Sequence, residues 1–310
     1  MADSVLQNLT ASRIFDLRGV VAVVTGGATG IGLMISTTLM ANGATVYTIG
    51  PVQQELDDAA KLWNEGAAKE PNRGRMYGLA GDIRSKSEAK RLAQEIEKKE
   101  KHITVLFNNA GIMRGTTDRP KPGATAADFL AAYFDPITED DFDNSLRTNT
   151  FGHYWMTFAF LPLLEKWKSP DNPLSNKFPP QVIMTTSNTG WLKDIACAIN
   201  SFPYHFSKAA LGQATASLAH ELLPLGIRVN GIAPGPVQTA MNSPGTVNEL
   251  GIPTGPPASS WDAFMIPLGV SSAPNRDIGT VVLMLVANWY ISGETVLVDG
   301  GTLLKHPSSY

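Results

Sequence analysis

Cysteine is almost absent: Cys197 is the only one in 310 residues. One thiol makes neither an internal disulfide nor a cysteine-based metal cluster, so no metal is expected and a reducing compartment is. Charge of one sign is lacking too. Twenty-five Lys and Arg stand against 28 Asp and Glu, a net charge of −3, and the pI is about 6.0. A nucleic-acid binder would need a basic excess, so no nucleic-acid partner is expected. Long apolar runs are missing as well. The stretch 281–287 near the C-terminus falls far short of the roughly 20 residues that span a bilayer. Met1-Ala2-Asp3-Ser4 is acidic with no apolar core behind it, so neither a secretory signal nor a membrane association is expected, and the cytoplasm is the expected location.

The chain does have a core to bury: 43% of its residues are hydrophobic and 17% charged, a composition that disfavours disorder. Residues 1–18 read as an N-terminal extension. From residue 19 to 310 strand and helix patterns take turns. Val20–Val24 is β-branched and apolar on both faces, as a strand buried in a parallel sheet is. Ile31–Asn42 reads as a helix closed by Gly43. Further strands are expected at 45–49, 76–81, 104–107, 181–185, 227–232 and 295–298. Helices are expected at 87–99, 140–167, 204–223 and 278–286. The alternation predicts an α/β fold: one Rossmann-like, doubly wound domain of about seven parallel strands with helices on both faces. Residues 236–275, rich in Pro, Gly and Ser, interrupt the pattern after the sixth strand and read as a substrate loop.

Thr25-Gly26-Gly27-Ala28-Thr29-Gly30-Ile31-Gly32 lies between the first strand and the first helix. Glycines there permit a tight turn and close backbone approach to a pyrophosphate, which the helix N-terminus attracts. The glycine spacing, Asn108-Asn109-Ala110-Gly111 and Tyr204-x3-Lys208 together resemble the short-chain dehydrogenase/reductase family. Gly81-Asp82-Ile83, Asn149-Thr150-Phe151-Gly152, Ser187-Asn188-Thr189-Gly190, the run Pro234–Thr239, Gly293 and Asp299-Gly300-Gly301 extend the resemblance, in order, over residues 19 to about 302. Phe15-Asp16-Leu17-Arg18-Gly19 looks like a fungal subgroup of reductases active in secondary metabolism. The resemblance implies an NAD(P)-dependent oxidoreductase. It implies cofactor contacts at Gly26, Thr29, Gly30, Ile31, Gly32, Asp82, Ile83, Asn109, Ala110, Gly111, Tyr204, Lys208, Pro234, Gly235, Val237 and Thr239.

Tyr204 and Lys208 lie four apart on a predicted helix and share a face. A free phenol, with a pKa of about 10, is a poor base at neutral pH, and an adjacent ammonium is expected to lower that value. The pair then exchanges a proton with a carbonyl or hydroxyl oxygen. By resemblance, Ser187 holds that oxygen, and Asn149 distorts its helix and relays protons through a water to Lys208.

Two departures from the family pattern stand out. The stretch from Ser187 to Tyr204 is longer than usual, which makes Trp191, Phe202 and Cys197 candidates to border the substrate. After the second strand, Gly50-Pro51-Val52-Gln53-Gln54 carries neither the acid that binds the NAD ribose nor a base for the NADP phosphate. The missing acid favours NADP(H) over NAD(H). Met241, Trp261, Phe264 and Met265 suggest an apolar pocket for a bulky hydrophobic carbonyl compound or the matching alcohol. Small residues along the Tyr204 helix, with the resemblance, imply a homodimer or homotetramer. The expected reaction is ketone reduction. Two alternatives are a non-redox reaction (isomerisation, dehydration or a pericyclic step) with retained cofactor, and a nucleotide sensor without turnover.

Overall fold

The computed structural model describes residues 2–169, 172, 177–195, 200–256, 266–268, 273 and 275–310. In chain order it has helices α1 (Ala2–Asn8) and α2 (Ala11–Ile14), strand β1 (Val21–Thr25), α3 (Gly30–Ala41), β2 (Thr45–Gly50), α4 (Gln53–Ala67) and β3 (Arg75–Ala80). These are followed by α5 (Lys86–Glu97), β4 (Val105–Asn108), α6 (Ala126–Tyr133) and α7 (Glu139–Leu146). A π-helical segment, Arg147–Phe151, leads into α8 (Gly152–Lys166), β5 (Gln181–Thr185), α9 (Phe202–Glu221), β6 (Arg228–Pro234), α10 (Asn275–Ala287) and β7 (Thr295–Val298).

The seven strands form one parallel sheet in the order β3-β2-β1-β4-β5-β6-β7. The order reverses between β1 and β4, and a doubly wound sheet opens its ligand crevice at such a switch point. Every residue of β1, β5 and β6 is buried, because helices cover both faces. Leu33, Ile35 and Leu39 of α3 and Ile278, Val282 and Leu285 of α10 pack on one face. Leu92 and Ile96 of α5, Met156 and Phe160 of α8, and Leu211 and Leu218 of α9 close the other. Each such side chain stabilises the fold by about 1.5–3 kcal/mol. Ion pairs such as Arg84–Asp82 and Lys166–Glu97 lie at the surface, where a pair contributes about 0–1 kcal/mol, so the two apolar layers decide stability.

Local chemistry sets the helix ends. The Ser85 hydroxyl accepts from Glu88 N at 3.3 Å and caps α5. Behind it Ala89, Leu92, Ala93 and Ile96 form the buried stripe of a 3.6-residue period. Two differences from the sequence expectations matter. α4 and α6 were not anticipated. The expected single helix over 140–167 is two helices joined by the π segment around Asn149. In the N-terminal extension Leu17 is fully buried, whereas Leu6 and Leu9 are exposed. Among the described residues no helix is long and apolar enough to cross a membrane.

Candidate active site

The site begins where β1 ends. Thr25 Oγ1 accepts from Asn109 N at 2.9 Å and Ala110 N at 3.0 Å, tying the turn after β4 to the turn after β1. In the latter, Gly26 and Gly30 have φ of +64° and +52°, left-handed values that favour glycine. Gly32 is needed for a different reason: a Cβ there would lie 2.0 Å from the Gly26 carbonyl oxygen. The turn is therefore a backbone cradle at the N-terminus of the 12-residue α3, as a pyrophosphate requires. The residues present fit a dinucleotide.

A cavity opens at these strand ends. Of the predicted cofactor contacts, Gly26, Thr29, Gly30, Ile31, Gly32, Asn109, Ala110, Gly111, Tyr204, Lys208, Pro234, Gly235, Val237 and Thr239 line it, as do Ser187 and Met241. Sequence reasoning gave no role to Asn188, Thr189, Pro236, Ala240 or Asn242, which line it too. Asn242 holds the loop after β6: its Oδ1 accepts from Thr239 N at 3.0 Å and its Nδ2 donates to Val237 O at 2.8 Å. A polar residue three positions after Thr239 was the available signal, and it is a weak one.

Asn149 stands behind the wall. Its Oδ1 accepts from Ile112 N at 2.8 Å, and its Nδ2 donates to Ile112 O and to Ser207 Oγ, both at 2.9 Å. This pins the π segment to the irregular segment after Gly111, and a Cβ at Gly111 would meet Asn149 Oδ1 at 3.3 Å and Lys208 Nζ at 3.7 Å. One turn on, His153 Nε2 hydrogen-bonds Ala110 O at 2.8 Å. Burial pushes this imidazole down to about 3, so it is neutral and donates from Nε2.

The remaining predicted residues lie elsewhere. Asp82 pairs with Arg84 at 2.7 Å, and that guanidinium holds its carboxyl below the usual carboxylate range. Ile83 is buried against Gly152. Trp191 packs on Tyr310, with ring centroids 4.8 Å apart, and Phe202 packs between Tyr133 and Phe206. None of these four lines the cavity. Cys197, Trp261, Phe264 and Met265 lie outside the described residues.

Tyr204 and Lys208 project from α9, whose start is fixed by Ser201 Oγ accepting from Tyr204 N at 3.1 Å. Lys208 Nζ donates to Thr185 O at 2.8 Å and lies 5.8 Å from the Tyr204 ring centroid. Burial pushes the phenol up to about 12, and the hydrogen bond with Ser187 pulls it back only in part. The same burial pulls Lys208 down to about 8. The expected lowering of the phenol by the ammonium does not appear here: desolvation raises the phenol, and what lowers it is the Ser187 hydrogen bond.

Residues 20–249 match the short chain dehydrogenase family. The chain is 33% identical to short-chain dehydrogenase/reductase PhomF of Diaporthe leptostromiformis, with all of both chains covered. It is 32% identical to short-chain dehydrogenase/reductase VdtF of Byssochlamys spectabilis, over 97% of this chain and 98% of the relative. The RhlG/NADP active-site complex of Pseudomonas aeruginosa has the same fold, with a TM-score of 0.70, 24% identity, and 93% of this chain and 98% of that one covered. The chain belongs to the short-chain dehydrogenase/reductase family and is an NAD(P)-dependent oxidoreductase acting on a small molecule.

Proposed function

We propose that the enzyme is an NADP(H)-dependent ketoreductase for a bulky hydrophobic carbonyl compound of secondary metabolism, with Tyr204 as proton donor. The observation that carries this reading is that the glycine turn, Ser187, Tyr204 and Lys208 all face one cavity. The Gly26–Gly32 turn and the α3 N-terminus would hold the pyrophosphate, and Pro234, Gly235, Val237 and Thr239 would border the nicotinamide. When bound, the nicotinamide supplies the hydride.

The other steps belong to the chain. Ser187 Oγ accepts from Thr189 N at 3.2 Å, which orients its hydroxyl to donate to the substrate oxygen. Tyr204, raised to about 12, stays protonated at neutral pH and gives its proton to that oxygen. Lys208 orients the cofactor ribose and presents positive charge as the phenol loses its proton. Asn149, anchored at three points, keeps the π segment in place for proton return from solvent.

NADP(H) is favoured over NAD(H) because no acid stands between the end of β2 and Glu55 to repel a 2′-phosphate. Secondary metabolism is inferred from the relatedness to two fungal reductases. Phe151, Tyr154, Phe158 and Phe206 expose aromatic rings on α8, on the π segment before it and on α9, which supports assembly into a homodimer or homotetramer. The test is loss of reduced-nicotinamide absorbance with a panel of bulky ketones, using NADPH and NADH separately. The expected result is ketone-dependent oxidation with the lower KM for NADPH. Product formed without any absorbance change would favour a non-redox reaction, and a clear NADH preference would overturn the cofactor assignment.

A further inference from the structure

Ser187 and Tyr204 hydrogen-bond to each other, yet they belong to different elements. Ser187 follows β5, and Tyr204 lies in the first turn of α9. A displacement of about 1 Å at a reacting group costs about a hundredfold in rate, so the two elements must be held at a fixed separation. The segment after Ser187 shows how. Gly190 N donates to Ser187 O and Trp191 N to Asn188 O, both at 3.1 Å, which makes residues 187–191 one continuous turn. Its inner side lies flat on α9: a Cβ at Gly190 would meet Lys208 O at 3.1 Å and Ala209 N at 3.2 Å. Just beyond, His205 Nε2 hydrogen-bonds Leu192 O at 3.0 Å. On the outer side Leu192 pairs with Ser308 in an antiparallel bridge, flanked by the bonds from Lys193 N to Pro307 O and from Ser309 N to Trp191 O.

His205 is the residue next to Tyr204, and its bond joins that turn of α9 to the segment that continues from Ser187. The side chain is buried, and desolvation holds its imidazole below the usual histidine range. The ring is therefore neutral, and Nε2 carries the hydrogen because a carbonyl only accepts. Leu192 is buried as well, so its carbonyl, deprived of this donor, would have to shift to find another. The segment would then follow residues 307–309, and the Ser187 turn with it. His205 does not line the cavity, so it acts through Ser187 and not on the substrate. We infer that His205 is a positioning residue: its bond to Leu192 sets the Ser187 turn against the α9 turn that carries Tyr204. The inference rests on the ketone-reduction reading above, in which that pair acts on the substrate oxygen.

The test compares wild type with His205→Phe, which keeps a ring and loses the donor, and with His205→Gln, which keeps a donor. NMR of protein isotopically labelled at tyrosine Cζ reports on the phenol. Tyr204→Phe assigns the resonance among the seven tyrosines, and Ser187→Ala gives its shift when the Ser187 bond is gone. His205→Phe should move the resonance by at least half of the Ser187→Ala shift, and His205→Gln should leave it near its wild-type place. With NADPH and the best substrate of the ketone panel, kcat should fall about tenfold in His205→Phe and recover to within about threefold of wild type in His205→Gln, with the NADPH dissociation constant changed by less than about twofold in both. In a Ser187→Ala background the same His205→Phe change should cost less than about twofold, because the two residues act as a unit. An unmoved resonance in His205→Phe, no recovery in His205→Gln, or an equal loss of kcat in both backgrounds overturns the inference. If His205→Phe does not fold, His205→Ala takes its place under the same criteria. If no panel ketone is reduced, or Tyr204→Phe keeps normal turnover, the ketone-reduction reading fails by itself, and the resonance alone decides whether His205 places Ser187 against Tyr204.

Discussion

Tyr204 and Lys208 line one cavity, and desolvation moves them in opposite directions. The phenol rises to about 12 and the ammonium drops from 10.5 to about 8. At neutral pH both carry their protons, which suits a site that donates a proton in reduction. The sign of the pH dependence follows. As pH rises through about 8 the native ammonium is lost while the phenol is still intact. The kcat/KM for NADPH, which reports the unliganded enzyme, should therefore fall about tenfold per pH unit above that point. A profile flat to pH 10 would show that Lys208 keeps its charge or does not matter. Spacing put Tyr204 and Lys208 on one face, but desolvation comes from the whole packed site and is not written in a four-residue interval.

At the scale of elements, β1, the glycine turn and α3 form one device. A Cβ at Gly32 would meet a backbone oxygen, so no rotamer change relieves the clash. Gly32→Ala should lower NADPH affinity by more than tenfold and destabilise the protein by about 1–3 kcal/mol, read by cofactor titration and thermal melting. Unchanged affinity would mean that the turn does not cradle the cofactor. The inner strands were legible because both-sided burial demands continuous apolar runs, and the partly buried edge strands β3 and β7 were legible from their place in the strand–helix alternation. α4 was legible in principle: Leu56, Ala60 and Ala67 are its buried stripe, with Trp63 packed beside them. Its many polar residues and Gly66 obscured that stripe. The π segment was invisible to periodicity, because it depends on Asn149 gripping Ile112, a residue 37 positions away.

At the scale of the molecule, the long loop between Ser187 and Tyr204 is held from two sides. The segment after β4 reaches it through Thr117 N to Asn200 O at 3.1 Å, the Arg119–Asp194 ion pair at 2.9 Å, and Tyr133 against Phe202. The C-terminal residues reach it through Lys193 N to Pro307 O and Ser309 N to Trp191 O, both at 2.8 Å. These long-range contacts turn Trp191 and Phe202 toward other surfaces, and nothing local in the sequence announced them. The loop in turn fixes the start of α9 and so the place of Tyr204. The most direct measurement compares wild type with Tyr204→Phe for NADPH binding and for ketone-dependent oxidation of NADPH. The account predicts cofactor affinity within about threefold of wild type and turnover reduced at least about a hundredfold. Near-normal turnover without the phenol hydroxyl would contradict it.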